Sequence, residues 1–174
     1  GFVHAHFPVG HFLADHAQLL GDALPFRHLG GGNGPFQLLA ERLGIASRVT
    51  WLGGIPRAQL ATLWPRLDCL VAPSRTTAGW VETYPVQILE AMGHGVTVVA
   101  SDSGALPEVI GKAGLIFRDG HPEGLTEALT RLLEDGELRE RLAAEGRRRV
   151  IAEYVDDAIA RKTLTFWKRV VRPQ

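Results

Sequence analysis

The sequence predicts an α/β fold, a parallel sheet with helices on both faces, from three observations. Short apolar, β-branched runs alternate along the chain with longer helical patterns. One of these runs, V-T-V-V-A at 96–100, is apolar on both faces, as a buried parallel strand must be. Leu125, Ala128, Leu129, Leu132 and Leu133 recur at i, i+3, i+4, i+7 and i+8, which is one face of an amphipathic helix.

Residues 1–7 read as a damaged or truncated strand, and 12–20 as a helix. A strand follows at 26–29 and a helix at 35–43. The segment 48–52 reads R-V-T-W-L and is the next strand, with a short helix over 57–64. Residues 68–72 form a further strand. Pro85 suits a first helical position, where a missing N–H does no harm, so a helix is expected over 86–94. After the strands at 96–100 and 114–117 come three helices. The second spans 137–153, with Gly146 as a weak point. The last spans 157–171, with Ile159, Thr163, Phe166, Trp167 and Val170 as its inner stripe. Trp51, Trp64 and Trp167 are core candidates.

The chain has 174 residues, enough for one domain with a substantial core. It is 45% hydrophobic and 22% charged, as soluble globular proteins are. Nineteen basic residues balance nineteen acidic ones, so no net field draws it to nucleic acid. A single cysteine, Cys69, excludes an intrachain disulfide and a cysteine-rich zinc site, and fits a reducing compartment. No apolar run approaches the roughly 20 residues of a spanning helix. The start, G-F-V-H-A-H, lacks a signal peptide and an initiator Met, so a trimmed piece of a longer protein is expected. No repeat or interdomain linker is visible. The expectation is one domain over 1–174, with roughly 155–171 as its C-terminal helix.

In such a sheet, ligands bind beyond the carboxyl ends of the strands, where helix N-termini point. Three loops qualify: 30–34 (G-G-G-N-G), 73–84 and 101–107. The informative stretch is 72–108, in which a polar loop carries Glu82 and the helix after Pro85 carries Glu90. Both carboxylates can border one cleft at that helix's amino end. Free N–H groups and the positive dipole end suit a diphosphate there. A carboxylate beside them can accept two hydrogen bonds from a diol, as in a ribose or a hexose. One cleft then meets the chemical needs of a nucleotide sugar.

Plainer readings stand beside these. A glutamate pair at i, i+8 is common on solvated helices. The G-G-G-N-G run could be a turn; it is not G-x-G-x-x-G, and no acidic residue ends the next strand, which disfavours a dinucleotide site. His4 and His6 share a strand face without a Cys or Glu nearby, and read as ordinary histidines rather than metal ligands. His94 reads as a helix cap rather than a base. Arg147 to Arg149 read as a solvated helix face, and Glu108 as a cap of a short helix. Trp80, within the candidate loop, stands apart from the core tryptophans as a residue that could line a sugar pocket.

The stretch A-P-S-R-T-T-A-G-W-V-E-T-Y-P-V-Q-I-L-E-A-M-G-H-G-V-T-V-V-A-S-D-S-G-A-L-P-E resembles the signature of the glycosyl transferases group 1 family. That signature runs P-S, then E-G-F-P-x-x-x-x-E-A-M-A-x-G-x-P-V-V-A, then a Gly-rich turn and P-E. The chain matches at Pro73 and Ser74, at Glu82, Pro85, Glu90, Ala91 and Met92, and at Gly95, Val98, Val99 and Ala100. It matches again at Gly104, Pro107 and Glu108. G-G-G-N-G-P and R-V-T-W-L-G resemble the family's G-D-G-P and R-V-x-F-L-G segments. The likeness covers roughly residues 25–171.

The resemblance implies the C-terminal, Rossmann-like half of a GT-B fold. It implies a retaining, hexosyltransferase-type enzyme that moves a sugar from a nucleotide donor to an acceptor hydroxyl. No cofactor or metal is expected, since the NDP-sugar is a substrate. The partner domain that binds the acceptor is expected to lie outside this chain, and the piece alone to be inactive. By matched position, Glu82 contacts the donor sugar as the catalytic carboxylate and Glu90 holds the ribose. Backbone N–H groups at Thr83, Tyr84 and Val86 take the phosphates. The loops carrying Gly31 and Gly32, and Gly53, border the base, and Ser74 and Arg75 belong to the donor loop. The family's first loop carries an Arg and a Lys that neutralise the leaving diphosphate; Phe2 and Phe7 stand there, a loss worth several kcal/mol in a typical site. Thr83 replaces a common Gly and Thr97 a common Pro. Arg75 is the candidate substitute cation. The alternative is a non-catalytic GT-B-like scaffold or regulatory module; a third, weaker reading is a related GT-B enzyme such as a sugar-nucleotide epimerase or a phosphorylase, and an epimerase would require a different constellation of acid/base residues, which is not found here. A cytoplasmic location is expected, with peripheral membrane contact of the full-length protein left open.

Overall fold

The computed structural model describes Val3–Ala5, Phe26–Leu29 and residues 33–171. The expected helix at 12–20, and Phe2, His6, Phe7, Gly31 and Gly32, lie outside the described residues. Six described strands form one parallel sheet: β1 (Val3–Ala5), β2 (Phe26–Leu29), β3 (Val49–Gly53), β4 (Cys69–Ala72), β5 (Thr97–Ser101) and β6 (Gly114–Phe117). Their order across the sheet is β3-β2-β1-β4-β5-β6. The helices are α1 (Asn33–Arg42), α2 (Arg57–Leu63), α3 (Val86–Gly93), α4 (Leu106–Ile110), α5 (Pro122–Glu134), α6 (Gly136–Glu153) and α7 (Asp156–Val170).

Alternation along the strands explains why both faces are covered. Cys69, Val71 and Val99 join Phe117 in a core under α1, α5 and the start of α6. The intervening Leu70, Ala72, Val98 and Ala100 join the opposite core under α2, α3 and α4. Side chains of a strand alternate between faces, so a strand buried on both must be apolar throughout. β4 is paired to β5 from Cys69↔Thr97 to Ala72↔Ala100. Thr97 is fully buried, and its hydroxyl donates to the Arg139 carbonyl of α6 at 2.8 Å. That bond satisfies the polar atom this chain places where a Pro is common.

The order reverses between β1 and β4, which makes the crevice beyond their carboxyl ends the topological switch point. The loop from Pro73 to Pro85 leaves β4 there and leads into α3.

Several sequence expectations are corrected. The strand expected at 48–52 begins at Val49, because Ala46–Arg48 forms a 3-10 turn. Gly146 is buried and packs on Met92 of α3: a Cβ there would lie 3.3 Å from Met92 Cγ. It is a position where α6 packs closely on α3 rather than a weak point. Arg149 is not part of a solvated face. It donates from Nε to Val109 O and from Nη2 to Glu108 O, both at 2.9 Å, and so caps the carbonyl end of α4. Leu133, placed on the inner face of α5, is exposed.

The largest correction concerns α7. Of its side chains only Ala158 is buried. Phe166 and Trp167 of the expected inner stripe are 62% and 61% exposed, and Ile159, Thr163 and Val170 are exposed too. Periodicity identifies an apolar side of a helix, not what covers it; here α7 packs principally on α6. Among the described residues, no helix is long and apolar enough to cross a membrane.

Candidate functional site

The loop from Pro73 to Pro85 is braced by the two loops beside it. Ser101 Oγ, at the end of β5, donates to the carbonyl of Ser74 at 2.5 Å. Thr76 Oγ1 lies 2.8 Å from Ser103 Oγ, and Thr76 N–H donates to Asp119 Oδ2 at 2.8 Å. Asp119, just after β6, is itself set by its own N–H, which donates to Asp102 Oδ1 at 2.6 Å. Nearer α3, the Ala105 N–H donates to the Glu82 carbonyl at 2.8 Å. The β5–α4 turn can come this close only because residue 104 is glycine. It has φ +55°, and a Cβ would stand 2.0 Å from Glu82 O.

These contacts fix the main chain of Glu82, whose side chain is half-buried and has no ion-pair partner among the described residues. Glu90 sits on the fifth residue of α3, also half-buried. Its carbonyl accepts from His94 N–H at 3.1 Å and from the His94 ring at 2.8 Å. A carbonyl only accepts, so Nδ1 carries the proton in that bond. His94 is thus the cap of α3, as expected.

At the amino end of α3, the first turn is held by Pro85 O, which accepts from Ile88 N–H at 3.0 Å and Leu89 N–H at 3.3 Å. Val86 N–H is already spent on Tyr84 O at 2.9 Å, so its expected role as a phosphate donor is not open to it. Among the described residues, the N–H groups of Thr83, Tyr84 and Gln87 donate to no partner. They remain for a ligand. Tyr84 is 59% exposed, with Thr83 and Val86 exposed beside it.

The remaining candidates fall around this centre. Ser74 is only 3% exposed, so it lies beneath the loop surface and acts there through its carbonyl. Arg75 Nε stands 3.6 Å from Asp119 Oδ1, which draws its charge toward the β6–α5 loop. That buried oxygen accepts no hydrogen bond, and the guanidinium compensates it. Gly53 ends β3 at φ +63°, with open space where a Cβ would stand. Of the bracing group, Ser101, Asp102 and Ser103 lie in the 101–107 loop that the sequence offered as a candidate, whereas Asp119 was not singled out. Its signal was there: R-D-G follows an apolar strand directly, as S-D-S-G does.

The model of the glycosyl transferases group 1 family matches residues 17–149. The chain belongs to that family. Among its relatives, the MMP alpha-(1->4)-mannosyltransferase of Mycolicibacterium hassiacum is 32% identical over 142 residues, covering 80% of this chain and 33% of that protein. The GDP-mannose-dependent alpha-(1-6)-phosphatidylinositol monomannoside mannosyltransferase of Mycobacterium tuberculosis is 33% identical over 143 residues, covering 78% and 37%. The chain therefore spans about a third of the length of those relatives. In structure it superposes on sucrose-phosphate synthase from Thermosynechococcus elongatus with a TM-score of 0.79, at 23% identity, covering 97% of this chain and 45% of that one. It superposes on Anabaena HepE in complex with UDP-glucose with a TM-score of 0.76, at 20% identity, covering 98% and 49%. The fold is the α/β, Rossmann-like half of a GT-B glycosyltransferase.

Proposed function

We propose that this glycosyltransferase chain is the domain that binds the nucleotide-diphosphate sugar, in an enzyme that transfers the sugar with retention. The observation that carries the reading is the amino end of α3. The N–H groups of Thr83, Tyr84 and Gln87, without a partner among the described residues, lie at that end with the positive pole of the helix dipole, and Glu82 precedes the helix that carries Glu90. The diphosphate lies against those groups. Glu90 accepts hydrogen bonds from the ribose hydroxyls and Glu82 from the hexose. As the bond between the anomeric carbon and the diphosphate oxygen breaks, negative charge grows on the leaving group. Fixed N–H donors stabilise that charge without reorganising. Arg75 already has Asp119 as a counter-charge, so the backbone donors meet most of it. The acceptor oxygen then bonds to the anomeric carbon on the face the diphosphate left, and its hydroxyl proton passes to the departing diphosphate oxygen. No step of this reading uses a metal.

Support comes from the family membership and from the fold likeness to HepE with UDP-glucose. Isothermal titration with UDP, GDP and ADP tests it, because nucleotide recognition is the part of the reaction assigned to this domain. Binding of one of them, weakened by Glu90→Ala, supports the assignment. A second reading, a non-catalytic scaffold on the same fold, is favoured by Phe2 and Phe7 at the family's cationic positions. It expects no nucleotide to bind at millimolar concentration.

A further inference from the structure

The apolar residues of α7 are not used by the domain that carries them. Leu164, Phe166, Trp167 and Val170 are each more than half exposed, and Ile159 is exposed too. At about 100° per residue these five fall within one arc of about 160°. Arg161, Lys162, Lys168 and Arg169 fall within the opposite arc of about 120°, together with Ala158. Ala158 is the buried residue of the helix, and it lines an open groove with Ala152 of α6, Arg161, Lys162 and Arg169. α6 therefore lies on the cationic side of α7, and the apolar arc points away from the domain.

Charge decides what that arc meets. The carboxylates of α7, Asp156 and Asp157, stand in its first turn, and from Ala158 to Val170 the helix has four cations and no carboxylate. Lys162 is tied to the foot of the helix. Its Nζ donates to Glu153 O at 3.3 Å and stands 3.7 Å from Glu153 Oε2 and 5.6 Å from the centre of the Tyr154 ring. Arg161, Lys168 and Arg169 have no ion-pair partner among the described residues. An anionic bilayer meets both arcs at once. Acyl chains take the apolar arc, and headgroup phosphates lie within reach of the flexible stems of lysine and arginine. A protein surface would have to bury lysine beside the apolar residues, and protein interfaces are depleted of lysine.

We propose that α7 is an interfacial helix that seats the chain on an anionic phospholipid membrane. Leu164, Phe166, Trp167 and Val170 enter the acyl region, and Arg161, Lys168 and Arg169 meet the phosphates. The helix lies on the bilayer rather than across it, since no described helix is long and apolar enough to span one. The tie of Lys162 to Glu153 sets α7 against α6, so the surface is ordered before it binds. None of these residues belongs to the Glu82–Glu90 site, so the role of α7 is independent of nucleotide binding.

Flotation of the chain with vesicles of phosphatidylcholine, alone and mixed with phosphatidylglycerol, tests the proposal. The expected result is binding about tenfold stronger to the mixed vesicles than to the neutral ones, and release by salt. Phe166→Ser with Trp167→Ser lowers that binding about tenfold. Arg161→Gln with Arg169→Gln removes the preference for phosphatidylglycerol. Tryptophan emission shifts to the blue as the wild type binds; Trp167→Phe, which keeps a ring, stays bound and loses the shift. Equal binding to both kinds of vesicle overturns the proposal, as does no binding, or binding that both double variants leave unchanged. Self-association of the vesicle-free chain, abolished by Phe166→Ser with Trp167→Ser, assigns the arc to a second copy and overturns it too. The same holds if a longer chain carrying this domain loses the binding, because the rest of that chain then covers the arc.

Discussion

A methyl group on Gly104 would have to share space with the Glu82 carbonyl, and the same residue holds a left-handed backbone that an L side chain adopts with strain. Gly104→Ala is therefore expected to destabilise the chain by about 2 kcal/mol, read from urea unfolding. It also pushes Glu82 out of place. The expected signature in titration is weakened binding of the nucleotide sugar beyond what Glu82→Gln alone produces. The two carboxylates separate by ligand part. If Glu90 accepts from the ribose as proposed, Glu90→Ala is expected to weaken UDP or GDP about tenfold to a hundredfold. On the same proposal, Glu82→Gln is expected to leave the nucleotide nearly untouched and to weaken only the sugar conjugate. Both glutamates could be singled out as candidates from the sequence, because their spacing sits inside a loop-helix signature. Asp119 was not. It reaches Thr76 across 43 residues of chain, and such a contact leaves no periodicity to find.

Among the elements, strands and helices were readable wherever burial dictates composition. β4 and β5 must be apolar on both faces, and they are. α5 declared its face through Leu125, Ala128, Leu129 and Leu132, all buried. Leu132→Ala is expected to cost roughly 2–5 kcal/mol in chemical denaturation. α7 carries as strong an apolar stripe, yet Phe166 and Trp167 lie in solvent here. Replacing both by Ser is expected to change the stability of this chain by less than about 0.5 kcal/mol each. Sequence pattern alone could not separate these helices, because the two faces differ in what stands opposite. Arg149 shows the converse error of reading a charge run by composition. Its guanidinium binds Glu108 O, Val109 O and Glu153 Oε1, with Tyr154 5.8 Å from its centre. Arg149→Ala frees two carbonyls at the end of α4, and a loss of about 2 kcal/mol is expected in the same assay.

For the whole molecule, the centre of the sheet is closed to water, and Cys69 reports it. Burial pushes its thiol up from 9.0 to about 12, against a smaller opposing effect of the hydrogen bond with Val99. The neutral thiol therefore persists in the folded chain at pH values where the unfolded chain has ionised. Between about pH 9 and 12 the unfolded state holds fewer protons, so stability present below pH 9 is lost as pH rises. A thiol reagent at pH 8 should leave the native chain unmodified and label Cys69 only on unfolding; rapid labelling of the native state would contradict the closed core. The α/β class of a doubly covered parallel sheet followed from alternation along the chain; the strand order came from the structure. The bracing of three loops over one helix end did not, since it depends on atoms brought together by the completed fold.

The central claim is that a diphosphate lodges against the amino end of α3. Amide nitrogen–proton NMR spectra, recorded as UDP or GDP is added, test it most directly. The expected result is that the Thr83, Tyr84 and Gln87 amide signals move together and saturate, while amides on the far side of the sheet, such as those of α7, stay still. Saturable shifts confined elsewhere, with Thr83, Tyr84 and Gln87 unmoved, would contradict it.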